Sequence, residues 1–422
     1  MLARHLALIA SVPLLLVSAS PAAAQVDQAV AKKYFAEVAA LCEQEGGKLW
    51  GVSLCGPLAF VDAVTRTSAT SEPAPSAPTP PSFGYANTAI EWGGTRWSTV
   101  VWRMIPEADP RARGRLIIHE LFHRVQPQLD LLVQELPNSH LDTLDGRYWL
   151  RLEWRALAKA LQEPGSSRKA ALADALAFRA RRFALFPGAA ESERRMEVNE
   201  GLAQYTGTVA VAAGSREAAI ADVRDQLARY EAEPTFVRVF PYPAGAVYGI
   251  LLDEWAPGWT RRFAKGDDLA QRLAAAAGVT PASEPEAAAS RYGGAELRAA
   301  EERREVEQKA RVAELRRLFV EGPVLALPRV GKVSFSFATT GMTPIPGVGT
   351  VYPTCRVSAE WGSLEADRAL MAQDNSTITV PAPGRVDGSP TKGDGWTLQL
   401  APGWTIGPGE RAGDYRVLRR PQ

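Results

Sequence analysis

The spacing of apolar residues divides this chain into a helical part and a β-rich part. Between residues 109 and 277, apolar side chains recur every three or four positions, which predicts a series of amphipathic helices. From Pro323 onward the apolar runs are short and separated by Gly and Pro, as in 332–339 and 376–380, which predicts strands. The pattern therefore predicts an α+β protein whose C-terminal part is an all-β domain, a sandwich or a barrel.

The first hundred residues of the expected mature chain mix both patterns. A helix is predicted after Asp27, which can cap it, and strand-like runs follow at 48–54 and 57–64. The proline-rich segment 71–81 has little apolar surface and is predicted to be an exposed loop. Beyond it, two β-rich runs flank Gly93-Gly94, a residue pair that is typical of a tight hairpin turn.

The helix after this hairpin carries the clearest chemical signal in the sequence. Asp109 can cap it, Pro110 suits the first helical position, and Pro127 marks its end. Inside it lies the HExxH sequence His119-Glu120-Leu121-Phe122-His123. Residues four apart share one face of a helix, so the two imidazoles can bind one zinc ion while Glu120 acts as a base beside them.

A catalytic zinc site usually has three protein ligands and keeps one position open for water. The mature chain holds one further histidine, His140, which follows two prolines and is 17 positions beyond His123. The third ligand is therefore His140, a carboxylate, or absent. Glu200, in a helix predicted from about residue 191 to 212, is the better candidate.

That helix contains Asn199-Glu200-Gly201-Leu202-Ala203-Gln204-Tyr205. This segment resembles the Asn-Glu-Gly-Phe-Ala-x-Tyr segment that carries the third zinc ligand in gluzincins of the aminopeptidase N type, and the HExxH sequence matches their first motif. The resemblance covers about a tenth of the chain. It implies a zincin-like catalytic domain with His119, His123 and Glu200 as ligands of one zinc ion and Glu120 as the general base.

Two departures from that family change the expectation for specificity. The gap between the two motifs is longer than in the family, so additional helices are predicted between them. The Gly-x-Met-Glu-Asn segment that binds a substrate's free amino terminus is absent from the sequence. Endopeptidase action therefore stays open beside exopeptidase action.

The reaction implied by these residues is hydrolysis of a peptide bond. Glu120 would take a proton from water and deliver it to the leaving amine, while the developing oxyanion needs a second donor beside the metal. Tyr248 is the first choice for this donor, followed by His140, Tyr205 and Tyr242. Glu197, one turn before Glu200, is a candidate for orienting an imidazole.

Residues 1–24 have an apolar stretch and a small-residue end, which predicts a secretory signal peptide cleaved after Ala24. An exported protein, periplasmic or secreted, is therefore expected, without a transmembrane anchor after cleavage. Cys42 and Cys55 can close a short disulfide loop or stay unpaired, and Cys355 is expected to be a buried free thiol. A net charge of +1 gives no field that would attract nucleic acid.

These patterns divide the chain into five segments: 1–24, the signal peptide; 25–108, an N-terminal helix and β-rich subdomain with the proline-rich loop; 109–292, the helical catalytic domain; 293–322, a charged helical connector; and 323–422, the C-terminal β domain. The leading hypothesis is an exported zinc metallopeptidase, a hydrolase with a peptide or protein substrate. The alternatives are a non-catalytic binding or scaffold protein on a gluzincin-like fold, and a zinc hydrolase of a non-peptide amide.

Overall fold

The computed structural model describes residues 25–420 except 63, 64, 66, 81, 82, 85, 332, 338–340 and 387–389. The predicted signal peptide, residues 1–24, lies outside the described residues. The chain forms two compact units. Among the described residues, the first unit contains 25–141 together with Trp149–Ala288, and the second contains Asp142–Tyr148 together with 289–420.

The first unit begins with helix α1, Gln28–Glu45, which Asp27 caps as predicted by accepting from the backbone N–H groups of Ala29 and Val30. Its sheet has four strands in the order β2-β1-β4-β3, with β1 and β4 parallel and the other pairs antiparallel. The strands are β1 Leu58–Val61, β2 Ser68–Thr70, β3 Thr88–Trp92 and β4 Thr95–Val101.

The predicted hairpin is confirmed, since β3 and β4 pair across Gly93 and Gly94, whose φ angles are 60° and 79°. Such left-handed angles suit glycine and match the twist of the paired strands. The strand expected at 48–54 is wrong. Gly47 and Gly51 have positive φ there, and the chain makes turns that the Glu45 carboxylate holds through the backbone N–H groups of Gly47 and Leu49.

Helix α2, Pro110–Val125, has the bounds that the sequence predicts. The Asp109 carboxylate accepts from the N–H of Ala112 at 2.9 Å, and the helix passes into a 3₁₀ turn at Gln126–Leu129. A disulfide joins Cys42 to Cys55, and Arg124 donates to the Cys55 carbonyl at 2.7 Å. The covalently closed loop therefore lies against the last turn of α2.

The other helices of this unit lie between residues 149 and 288, except that the first five residues of α3 belong to the second unit. They are α3 Leu144–Gln162, α4 Gly165–Leu185, α5 Ala189–Met196, α6 Leu202–Ala212, α7 Arg216–Glu231, α8 Pro241–Trp255, α9 Leu269–Ala277 and α10 Pro285–Ala288. The single helix expected from 191 to 212 is interrupted. A π-helical turn, Glu197–Gly201, joins α5 to α6.

A contact between two glycines brings α8 against this π turn. A Cβ added at Gly245 would lie 2.3 Å from the Cα of Gly201, so the two backbones approach more closely than any side chain would permit. This approach places the first turn of α8 beside Glu200.

The second unit joins the charged helix α11, Gly294–Arg316, to a mostly antiparallel sheet. Its strands are β5 Val324–Pro328, β6 Ser334–Ser336, β7 Thr343–Ile345, β8 Gly349–Ala359, β9 Gly362–Ala372, β10 Thr377–Pro381, β11 Thr391–Gly393, β12 Trp396–Leu400, β13 Trp404–Pro408 and β14 Tyr415–Arg419. Their order is β11-β12-β9-β10-β5-β14-β13, with β8 on β9 and both β6 and β7 on β8.

These described strands are joined by hydrogen bonds into one sheet, whereas a sandwich would have two. Its core includes Trp361, Leu364 and Leu398 together with Cys355, which is a buried free thiol as expected. The mixed α+β class is confirmed. Along the described chain, no helix combines the length and the apolar character that crossing a membrane requires.

Candidate metal centre

Helix α2 places both histidines and Glu120 of the HExxH sequence beside the sheet of the first unit. His119 is 4% exposed and Glu120 is 5% exposed, while His123 is half-buried. The Ser98 hydroxyl on β4 donates to the Glu120 carbonyl at 2.9 Å and ties the middle of α2 to the sheet. Both imidazoles point to the same side of the helix, since their Nε2 atoms are 3.0 Å apart.

The π turn brings Glu200 to these two nitrogens from the opposite side. Its Oε2 lies 3.2 Å from His119 Nε2 and 3.6 Å from His123 Nε2. Among the described residues, His119, His123 and Glu200 are the group of potential ligands whose donor atoms all lie within 4.8 Å of one another. The fold thus brings Glu200 to His119 and His123, although it lies 77 positions after His123 in the chain.

The other nitrogen of His119 fixes the tautomer of that ring. Its Nδ1 lies 3.2 Å from Gln204 Oε1, and the Gln204 amide nitrogen donates to Gln226 Oε1 at 2.6 Å. Gln226 in turn donates to Asp222. Because this chain of donors turns the oxygen of Gln204 toward the ring, Nδ1 carries the proton and Nε2 keeps its lone pair.

His123 is oriented in the same way by a different glutamine. Its Nδ1 lies 2.9 Å from Gln126 Oε1, and the Gln126 amide nitrogen donates to the carbonyls of Leu131 and Val198 at 3.3 and 3.2 Å. The amide therefore presents its oxygen to the imidazole and its N–H groups to backbone acceptors. Both rings therefore direct Nε2 toward Glu200, and this atom carries the lone pair when the ring is neutral.

Three acceptor atoms at these distances repel one another unless a proton or a metal ion lies among them. The charges respond accordingly: although burial opposes it, the hydrogen bond and charge of Glu200 raise the pKa of His123 to about 9. Burial favours the protonated form of Glu200, yet the two imidazoles hold the pKa of this carboxyl well below its usual range. The cluster therefore has a strong affinity for positive charge.

Glu120 differs from the other members of the site. Its Oε2 is buried and has no hydrogen-bond partner in the described part of the chain. Burial raises the pKa of the Glu120 carboxyl, and the neighbouring imidazoles oppose that shift. A buried carboxylate oxygen without a donor is costly to the fold, so this atom is available to a proton or to water inside the site.

Tyr242, in the first turn of α8, is the tyrosine beside this cluster. Its ring centroid is 5.6 Å from that of His119. Burial and the Glu200 carboxylate raise the pKa of its hydroxyl well above the usual range, so the hydroxyl stays protonated and can donate. The Gly201–Gly245 contact sets this position, because it presses the start of α8 onto the π turn.

Tyr248, the first choice from the sequence, is elsewhere and that choice needs correction. Its hydroxyl is fully buried and donates to Glu153 Oε1 at 2.7 Å. It lies six positions after Tyr242, so the two side chains project from different faces of α8. The sequence could not show which face of this helix meets the π turn.

The remaining sequence candidates also have other partners. His140 Nε2 lies 2.8 Å from Glu193 Oε1, and the Tyr205 hydroxyl donates to Asp253 at 2.7 Å. Glu197, proposed to orient an imidazole, forms instead a bidentate pair with Arg179. The orienting groups are Gln126 and Gln204. Their signal in the sequence is weak, since a glutamine one turn from a ligand is common on any helix.

The donor set fits a zinc ion chemically. Two imidazole nitrogens and one carboxylate oxygen, each imidazole held through its far nitrogen, are ligands that zinc accepts at catalytic sites. Comparison with known proteins adds nothing to this geometry: no family model, curated protein or solved structure matches the chain.

Proposed function

We propose that this protein is a zinc-dependent hydrolase that cleaves peptide bonds. The observation that carries the proposal is the convergence of His119 Nε2, His123 Nε2 and Glu200 Oε2 beside a buried, unpartnered oxygen of Glu120. Two ligands from HExxH and a glutamate from a second helix are also what the gluzincin resemblance implies. The packing of α2 between β4 and α6 is compatible with a zincin-like domain.

His119, His123 and Glu200 would hold the ion. When bound, zinc supplies Lewis-acid polarisation of a carbonyl and makes water more acidic. Glu120 then takes a proton from water and delivers it to the leaving nitrogen, a role that suits a carboxyl whose pKa burial raises. The protonated Tyr242 hydroxyl donates to the oxyanion as charge develops on it.

A peptide substrate has a place to bind along the hairpin. Strand β3 is at the edge of its sheet, and it packs against α2. One side of an edge strand carries free N–H and C=O groups, which can pair with an extended peptide. Strand addition at β3 would place the scissile bond along the side of the sheet where α2 presents its two histidines.

An exported location is part of the same proposal. The Cys42–Cys55 disulfide supports it, because such bonds persist in oxidising compartments. Cell fractionation with an antibody to this chain tests it directly. Recovery of the oxidised protein outside the cytoplasm would support export, and recovery of the reduced protein in the cytoplasm would contradict it.

The test of the reaction compares the zinc-loaded wild type with Glu120→Gln on protein, peptide-library and peptidoglycan substrates. The amide keeps the shape of Glu120 but cannot take the proton, so turnover should fall by roughly 10²–10⁴-fold while zinc stays bound. Glu107→Gln, at an exposed position just before α2, is the control and should keep full activity.

Each outcome points to one function. Glu120-dependent cleavage of peptides supports the proposal. Cleavage of peptidoglycan or another non-peptide amide alone would make the protein a zinc hydrolase of a different substrate. Bound zinc without Glu120-dependent turnover on any substrate would favour a non-catalytic binding or scaffold protein.

A further inference from the structure

Helix α4 carries two arginines that are almost completely buried. Arg179 is 4% exposed and Arg182 is fully buried. A guanidinium stays charged at any physiological pH, so burial requires acceptors around it. These acceptors are carboxylates from four neighbouring elements: Glu153 on α3, Glu193 on α5, Glu197 in the π turn and Asp268 at the N-terminus of α9.

The pair between Arg179 and Glu197 has the most restrictive geometry. Arg179 Nη1 donates to Glu197 Oε1 and Nη2 donates to Oε2, both at 2.7 Å. Two parallel bonds fix the direction of the carboxylate as well as its distance. Glu197 is the first residue of the π turn, and its own carbonyl accepts from the N–H of Leu202 to close the turn.

The shape of this turn decides whether the ligand set closes around His119. Glu200 Oε2 lies 3.2 Å from Nε2 of that ring, and Gln204 Oε1 lies 3.2 Å from Nδ1. Both groups follow Glu197 in the chain. Suppose that the π turn became an ordinary α-helical turn, with a register shifted by one residue. Glu200 and Gln204 would then each rotate by about 100° around the helix axis. Neither contact would survive that rotation.

Stability alone gives a weak reason for such a pair. Replacing a buried ion pair by apolar side chains is often neutral or stabilising, because desolvation offsets the attraction of the charges. A better-attested role of buried polar groups is to hold one register among several that the chain could adopt. In this protein the register in question is that of the π turn, which an isolated helix would not favour.

We propose that Arg179 is a positioning residue for the metal centre: by holding Glu197, it keeps the π turn in the register in which Glu200 reaches the two imidazoles. This inference rests on the proposed function, because it takes Glu200 to be a metal ligand. The carboxylates that pair with Arg179 do not include the candidate ligand Glu200. Arg179 acts through the backbone between residues 197 and 200.

The test compares the zinc affinities of the Arg179→Lys variant and the wild type. Both are prepared metal-free and titrated with zinc in competition with a chromophoric chelator. Lysine keeps the charge but loses the two parallel bonds. We expect zinc to bind about 10–100-fold more weakly, as when a group that orients a ligand is lost. The absorption spectrum of the cobalt-loaded variant should shift toward that of Glu200→Gln, which reports directly on the loss of this ligand.

Arg182→Lys is the matched control, since Arg182 lies one turn away on α4, is equally buried, and pairs with Glu193 outside the π turn. The zinc affinity of Arg182→Lys should stay within about twofold of wild type, even if its thermal stability falls as far as that of Arg179→Lys. An equal loss of affinity in both variants would overturn the proposal, as would a folded Arg179→Lys variant with wild-type affinity.

If Arg179→Lys does not fold, Glu197→Gln provides a second test. This variant offers the Arg179 guanidinium one amide oxygen in place of the two carboxylate oxygens. Weakened zinc binding in this folded variant supports the proposal, and unchanged binding overturns it. Failure of both variants to fold would show that the pair serves the fold, which also overturns it. A wild type that binds no zinc would instead refute the proposed function.

Discussion

The substitution Gly245→Ala tests the contact that brings α8 to the metal centre. The new Cβ would lie 2.3 Å from Gly201 Cα and 2.6 Å from its carbonyl oxygen, whereas ordinary contacts begin at 3.4 Å. The helix and the π turn must therefore separate by about 1 Å. Overpacking of this kind costs ~1–3 kcal/mol. Alanine recovers ~0.5–1 kcal/mol of that through its better helix propensity.

The expected net loss is on the order of 1–2 kcal/mol, equivalent to a melting temperature lower by about 2–8 °C. Turnover should fall much further, by roughly 10²-fold, because a displacement of about 1 Å misaligns Tyr242 and Glu200 with the reacting atoms. Differential scanning fluorimetry and peptide hydrolysis measure the two effects. Gly266→Ala is the control, since a Cβ there meets no atom within 4 Å. Wild-type turnover in a folded Gly245→Ala variant would refute this reasoning.

Three further predictions follow from the site and its surroundings. Tyr242→Phe should keep zinc affinity and lower kcat by roughly 10²–10³-fold, and an unchanged kcat would remove Tyr242 from the reaction. Gln204→Leu should weaken zinc binding by about 10–100-fold in the chelator assay, and equal binding would contradict the orienting role. Although burial opposes it, Arg182 and His140 lower the pKa of Glu193 to about 2. The folded state then binds fewer protons than the unfolded state between pH 2 and 4.5, so the free energy of unfolding should rise with pH across this window. Urea titrations should show a flatter rise for Glu193→Gln, and an unaltered slope would contradict the assignment.

The sequence predicts the first half of the site well because local chemistry specifies it. Asp109, Pro110 and Pro127 mark the two ends of α2, and helical spacing alone puts His119 and His123 on one face. These features depend on residues close together in the chain. No long-range packing has to be known.

The second half depends on packing that the sequence does not display. The π turn is invisible because residues 191–212 have the pattern of one continuous helix, and its register is held by Arg179 from another helix. The choice of Tyr248 over Tyr242 from the sequence is wrong for the same reason. Which face of α8 meets the site depends on the approach of Gly245 to Gly201, a contact between segments 44 residues apart.

The β-rich regions show the same limit. The hairpin at Gly93-Gly94 is predictable from its turn residues, whereas the run 48–54 looks like a strand only because its apolar residues are read without the turns at Gly47 and Gly51. Trp50 in that run is buried, and its indole N–H donates to Thr206 on α6 at 2.9 Å. Its apolar character serves this tertiary contact and not a strand.

The central claim is that His119, His123 and Glu200 bind one metal ion, and the most direct test is the zinc content of the purified chain. Wild type, His123→Ala and Glu200→Ala would be loaded with zinc, dialysed, and measured by mass spectrometry together with their thermal stability. The structure predicts one tightly held zinc per wild-type chain and a large loss in both folded variants. A wild type that retains no zinc, or variants that retain as much as wild type, would contradict the claim.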